Sequence, residues 1–158
     1  HFPDINITAL EPFEETYNRL VQNININHFS SVRLLKKGLW SSQIKLKADT
    51  SFRDGQDWSF RLVEACSNEP ALFEATSIDE IISENNLTTI DFLKIDIEGG
   101  EVEIFKDFST LHWLNQVKVI ALEIHDEFNC REHIETNLAQ IFDISHSGEL
   151  TIGINKSL

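Results

Sequence analysis

The segment Asp91-Phe92-Leu93-Lys94-Ile95-Asp96-Ile97-Glu98-Gly99-Gly100-Glu101 concentrates charge where an apolar run gives way to a turn. Side chains on a strand alternate between faces, so Lys94, Asp96 and Glu98 share one side, crowding opposite charges that a plain core strand avoids. The two glycines permit a tight strand-to-helix turn and close approach by a ligand. A second polar pair, Glu123 and His125, stands at the end of the apolar run 117–124. Glu11 ends a third run, residues 6–10. At that position of a nucleotide-binding fold, a carboxylate can accept both hydroxyls of a ribose; it can equally cap the helix that follows. Leu39 and Trp40 follow the next strand, where an adenine ring would lie, although Trp40 also reads as ordinary core.

These residues need a scaffold that brings strand ends together, and the chain supplies one. Strand-like runs alternate with helical patterns, the signature of an α/β domain with a largely parallel sheet. Residues 6–10 form a short β-rich run. Pro12 suits the first turn of a helix, Glu14 and Glu15 suit its positive end, and Phe13, Tyr17, Leu20, Val21 and Ile24 recur at helical spacing. Residues 31–36 and 43–47 read as a strand pair joined through residues 38–42. Ser77 with Glu80 predicts a capping box opening a short helix with Ile78, Ile81 and Ile82. A strand over 90–97 and a helix from 101 to 106 follow. Residues 117–124, β-branched and almost continuously apolar, predict a central strand. Asn129 and Glu132 are expected to cap a helix with a buried stripe of Ile134, Leu138, Ile141 and Phe142. Residues 142–145 and 150–155, turning near Gly148, predict an antiparallel hairpin at the sheet edge.

In open α/β sheets ligands sit outside the carboxyl ends of the strands. Asp96 with Glu98, and Glu123 with His125, stand at such ends. A right-handed crossover should set Asp96 and Glu123 at the ends of adjacent parallel strands.

At 158 residues the chain is one domain, with 41% hydrophobic residues and 11 phenylalanines to fill a core. A formal charge of −13 excludes a nucleic-acid backbone or an anionic membrane as main partner. Arg33, Lys36, Lys37, Lys45 and Lys47 gather locally and are expected on a solvated hairpin. Cys66 and Cys130 form no C-x-x-C pair, which leaves two reduced, partly buried thiols of a cytoplasmic protein. Sequons beginning at Asn6, Asn86 and Asn155 are expected by chance among so many asparagines. No run approaches the roughly 18 apolar residues of a membrane span, and no signal peptide is visible.

The charged segment resembles the signature of the FkbM methyltransferase family, in which a strand reading D-x-L-K-I-D-x-E-G-x-E ends at the active site. Asp91, Leu93, Lys94, Ile95, Asp96, Glu98, Gly99 and Glu101 all match it. The likeness extends to Leu10-Glu11-Pro12 upstream and Leu122-Glu123-Ile124-His125 downstream, covering roughly residues 5 to 155. The resemblance implies a Rossmann-like, doubly wound methyltransferase sheet, mostly parallel and ending in the antiparallel hairpin. The family's glycine-rich turn, which cradles the methionine part of the cofactor, would fall about 20 residues before Glu11. That point lies before His1, and with no methionine in the chain the expectation is a fragment lacking the first strand and helix.

The resemblance further implies an S-adenosylmethionine-dependent O-methyltransferase, passing a methyl group to a hydroxyl of a sugar or secondary metabolite. Glu11, Leu39, Trp40 and Asp96 would then contact the cofactor. An alcohol is a poor nucleophile near neutral pH, so a general base is needed, and Asp96 and His125 are the candidates. His125 also reads as a structural or surface histidine. Glu98 and Glu123 would orient the acceptor hydroxyl, or Lys94. Nothing in the spacing of Asp96, Glu98 and Glu123 demands Mg²⁺, and no metal is assigned. Two other classes compete. A chitinase-like glycosidase also carries carboxylates at alternating strand positions, but Lys94 stands where another aspartate is expected, and that barrel needs about 250 residues. The alternative is a non-catalytic methyltransferase-like domain with a binding or interaction role.

Overall fold

The main sheet is built on Val117–Glu123 (β8), whose side chains Val117, Ile120 and Leu122 are completely buried. A strand covered on both faces must be apolar on both, which is why this run is nearly continuous rather than alternating. The structure, a computed structural model, describes residues 5–49, 61–65 and 73–158. Ile90–Ile95 (β7) runs parallel to β8, with Ile90 opposite Val117 and Ile95 opposite Leu122. On the other side lie Leu150–Asn155 (β10) and then Phe142–Ser147 (β9), both antiparallel to their neighbours. The strand order is β7-β8-β10-β9. The expected hairpin is present, and Gly148 turns it with φ +62°.

Ile134 and Leu138, from the helix Arg131–Leu138 (α4), pack over this sheet with Phe105, Trp113, Leu114 and Phe142. Each such side chain contributes about 1.5–3 kcal/mol by leaving water. Asn155 closes the chain end: it is 5% exposed, its amide nitrogen donates to Val117 O (2.9 Å) and Leu114 O (3.4 Å), and its oxygen accepts from Ser157 N (2.9 Å).

The amino-terminal half is arranged differently from expectation. Ile7–Leu10 (β1), the helix Glu14–Ile26 (α1) and Val32–Leu35 (β2) form a unit in which β1 and β2 pair in parallel. Phe13, Tyr17, Leu20, Val21 and Ile24 are its half-buried stripe, and Phe13 meets Phe73 edge-on with ring centroids 4.8 Å apart. The next strands make a second sheet: Gly38–Leu39 (β3), Phe73–Thr76 (β6), Lys45–Asp49 (β4) and Arg61–Glu64 (β5), in that order. The strand pair expected over 31–36 and 43–47 is therefore corrected. β2 pairs with β1, whereas β4 pairs with β5 and β6. Packing explains the split, because Leu46 of β4 belongs to a small separate core with Trp40 and Ala75. The basic residues are not a shared hairpin either: Arg33 pairs with Glu84 and Lys36 with Glu14.

The chain is thus a mixed α/β protein whose strands pair both parallel and antiparallel, and among the described residues its four α-helices include Ile78–Asn85 (α2) and the single turn Glu101–Ile104 (α3). The described strands form three sheets, of two, four and four strands. β1 and β7 are not paired with one another, and Ile5, Ile7 and Phe92 are exposed. Cys66 lies outside the described residues; Cys130 is a free, buried thiol.

Two helix starts contrast. At α2 the capping box is present, with Ser77 Oγ accepting from Glu80 N and Glu80 Oε2 accepting from Ser77 N (2.9 Å). At α4 the expected cap by Asn129 and Glu132 is absent: Cys130 occupies the cap position and makes no side-chain bond. Asn129 instead takes a left-handed conformation, φ +52°, and closes the preceding turn through its N–H to Asp126 O. Arg131 secures the junction, donating to Ile124 O (2.7 Å), to Asp126 and to Thr151 (3.2 Å).

Candidate functional site

β7 and β8 run parallel and finish together, so the residues just past their ends become neighbours. Asp96 follows Ile95, and Ile95 lies opposite Leu122, one residue before Glu123. The expected adjacency of Asp96 and Glu123 is present. After Asp96 the chain turns through Ile97, Glu98 and Gly99. Glu98 has φ +51° and Gly99 φ +91°, and a Cβ on Gly99 would lie 2.3 Å from the ring of Phe128. Left-handed backbone at a glutamate is uncommon and carries strain, which such turns at ligand sites tend to hold.

The turn delivers Glu98 and Glu101 to either side of His125, whose side chain is 9% exposed. His125 Nδ1 lies 3.2 Å from Glu101 Oε1, and Nε2 lies 3.4 Å from Glu98 Oε2. Glu101 is completely buried. Its Oε1 also accepts from Ile97 N at 3.2 Å, while Oε2 is buried without a hydrogen-bond partner among the described residues. Glu101 is the neighbour of His125 to which sequence reasoning gave no role. It stands at the final position of the charged segment, but its link to His125 spans 24 residues.

On the more open side, Lys94 Nζ donates to Asp96 Oδ2 at 2.7 Å. That hydrogen bond, with the charges of Asp96, Glu123 and Glu149, outweighs partial burial and raises the lysine's pKa. Lys94 is therefore held by Asp96 rather than by Glu98 or Glu123. Glu123 is pushed up from the ordinary carboxylate range by burial first, then by the negative charges of Asp96 and Glu149, with His125 partly offsetting them. Asp96, Glu98 and His125 each bring one ligand-type atom within 4.8 Å of the others. Their contacts with Lys94 and with one another account for that grouping, and no ion is assigned.

The other expected site residues stand apart. Glu11 Oε1 accepts from Phe13 N at 2.8 Å, closing the turn before α1, whose cap position, Phe13, has no side-chain cap bond. Leu39 packs against the main core. Trp40 is 4% exposed and its indole N–H donates to Glu64 at 3.2 Å. A recess of about 150 Å³ nonetheless opens beside Trp40, edged by Ser41, Ser77, Asp79, Lys106 and Trp113.

The raised Glu123 carboxyl has a consequence for stability. A group whose folded pKa is raised contributes stability that is fully present below its unfolded value and lost as pH rises through the folded one. At neutral pH the ionised Glu123 therefore opposes folding, and Glu123→Gln should stabilise the protein there. Because the side chain is only partly buried, screening holds the gain under about 1 kcal/mol, or about 2–4 °C in Tm. At about pH 4 the gain should shrink or reverse. Thermal melts of both proteins at the two pH values check this; a wild type more stable than the variant at pH 7 contradicts it.

Comparison with known proteins identifies the family. Residues 4–144 match the model of the methyltransferase FkbM domain, and the chain belongs to that family. It is 27% identical over 120 residues to the hexuronic acid methyltransferase AglP of Haloferax volcanii, a match covering 76% of this chain and 47% of that protein. The chain thus spans about half the length of this relative. No solved structure matches it.

Proposed function

We propose that this chain is the catalytic part of an S-adenosylmethionine-dependent O-methyltransferase acting on a neutral hydroxyl acceptor, such as a sugar. The observation that carries the proposal is the nearly buried His125 beyond the end of β8, backed by Glu101 and facing Asp96 and Glu98. Membership of the methyltransferase family and the likeness to a hexuronic acid methyltransferase support the class of reaction; a hexuronic acid is itself an anion, so the neutral acceptor rests on the charges of this site and not on that relative. We read the three sheets as parts of one doubly wound, Rossmann-like architecture, in which ligands sit at the carboxyl ends of parallel strands. The reduced thiol of Cys130 suits a cytoplasmic setting.

The bound cofactor would supply the electrophilic methyl group, and the protein's part is to position, desolvate and deprotonate the acceptor. His125 Nε2 would take the hydroxyl proton as the oxygen gains the methyl carbon, the carbon–sulfur bond of the sulfonium giving its electron pair back to sulfur. The imidazolium so produced lies against Glu101 and later returns the proton to solvent. Asp96, paired with Lys94, orients the hydroxyl, as do Glu98 and Glu123. So many carboxylates, with Glu149 nearby and Lys94 already paired, disfavour an anionic acceptor; hence a neutral one.

The residues fit the cofactor in part. Glu11 keeps a second carboxylate oxygen for a ribose hydroxyl while the first holds the turn before α1. The recess beside Trp40 offers indole walls and polar edges for an adenine, with Leu39 behind.

Calorimetric titration of S-adenosylhomocysteine into the protein at its natural length tests the reading. Glu11→Gln keeps an acceptor for Phe13 N but removes the charge, and should weaken binding by about 1–3 kcal/mol. Absence of any binding to the wild type would favour the non-catalytic alternative.

A further inference from the structure

We propose that Glu101 is the positioning residue of His125, fixing its tautomer so that Nε2 is the nitrogen able to accept a proton; the inference rests on the methyl-transfer reading of this site. A completely buried carboxylate is costly unless its oxygens are engaged. Glu101 Oε1 is engaged twice, by Ile97 N (3.2 Å) and by His125 Nδ1 (3.2 Å).

The donor in the second contact follows from the first. As a carboxylate with the Ile97 N–H already aimed at Oε1, Glu101 can only accept, so Nδ1 carries the hydrogen. With Nδ1 protonated, the lone pair of the neutral ring is on Nε2. Nε2 lies 3.4 Å from Glu98 Oε2, an ion-pair contact longer than the Nδ1 bond to Glu101, and its lone pair is there for an acceptor hydroxyl.

Glu101 also ties the two halves of the site together. Through Ile97 N it grips the turn that carries Asp96 and Glu98, and through Nδ1 it grips His125, two residues past β8. A carboxylate that only closed the turn would leave the ring's protonation pattern untouched. Neutral imidazoles in water favour the opposite, Nε2–H tautomer, so the pattern is a signature that a merely structural role would not move.

Long-range proton–nitrogen NMR of histidine-labelled protein reads this directly, with His125→Asn identifying the signal. The wild type should show His125 in the Nδ1–H form. Glu101→Met removes the acceptor and should return the ring to Nε2–H, with kcat about 10²-fold lower and KM little changed. Glu101→Gln keeps an acceptor oxygen without the charge. It should preserve the Nδ1–H form and recover part of the rate, and it remains informative if the methionine variant fails to fold. An Nε2–H ring in the wild type, or an Nδ1–H ring persisting in Glu101→Met, overturns the proposal. Should the wild type transfer no methyl group to any hydroxyl acceptor, the reaction assigned to the site fails, while the tautomer measurement still decides the role of Glu101.

Discussion

Asparagine in place of His125 should lower methyl transfer by about 10²–10⁴, the range that a positioned general base supplies, and leave the affinity for S-adenosylhomocysteine within about tenfold. The substitution is chosen for geometry. The amide nitrogen of asparagine can occupy the place of Nδ1 and still donate to Glu101, so the buried carboxylate keeps its partner while Nε2 is lost. Asp96→Asn should also reduce turnover, by freeing Lys94 and weakening the hold on the acceptor hydroxyl, but by less. Turnover and dissociation constants for both variants decide between the two candidate bases. If Asp96→Asn proved the more damaging, with His125→Asn keeping more than about a tenth of the activity, Asp96 would be the base.

The second large effect should come from Gly99→Ala, which carries no change of charge at all. A Cβ there meets the Phe128 ring at 2.3 Å, on a backbone with φ +91°. Overpacking of this kind costs about 1–3 kcal/mol, and forcing a side chain onto positive φ adds about 1 kcal/mol. The sum, about 2–4 kcal/mol, corresponds to a fall of about 5–15 °C in Tm. Gly148→Ala is the control: its φ of +62° imposes backbone strain, but nothing lies within 4 Å of the added carbon. It should cost only the smaller share. Because Phe128 N donates to His125 O, pushing the ring aside also disturbs His125. Activity of Gly99→Ala at a temperature where it remains folded should therefore drop as well. Equal thermal losses for the two alanines would show that the clash is relieved without cost.

How much of this could be read in advance depended on the range of the interactions involved. β8 was legible because a strand buried on both faces is apolar almost throughout, β7 because its apolar residues lead straight into the charged segment, and the Ser77–Glu80 box because it is closed within four residues. The meeting of Asp96 with Glu123 followed from handedness alone. What failed was pairing at a distance. Nothing local tells β4 to join β5 and β6 rather than the nearer β2; the decision is made by Leu46 finding Trp40 and Ala75. Glu101 was visible as a signature residue, but a glutamate in the first turn of a helix looks like ordinary dipole compensation. Its burial, and the histidine it holds, arise only once β8 lies beside β7. The cap of α4 misled for the opposite reason: Asn129 has the right chemistry for a cap, but its left-handed backbone was already committed to the turn before it.

The sealed end of β10 bears on how the polypeptide could be decorated. Asn155-Lys156-Ser157 is an acceptor sequence for asparagine-linked carbohydrate. The nitrogen that would carry the sugar is, in the folded chain, spent on the carbonyls of Leu114 and Val117 in a pocket that solvent hardly reaches. Oligosaccharide transfer could therefore reach Asn155 only before β10 docks, and a chain modified there could not seat that strand against β8. Asn86, exposed at the end of α2, carries no such conflict. Expressed through a eukaryotic secretory route, the protein would thus be divided by kinetics into chains that closed first and chains glycosylated out of folding.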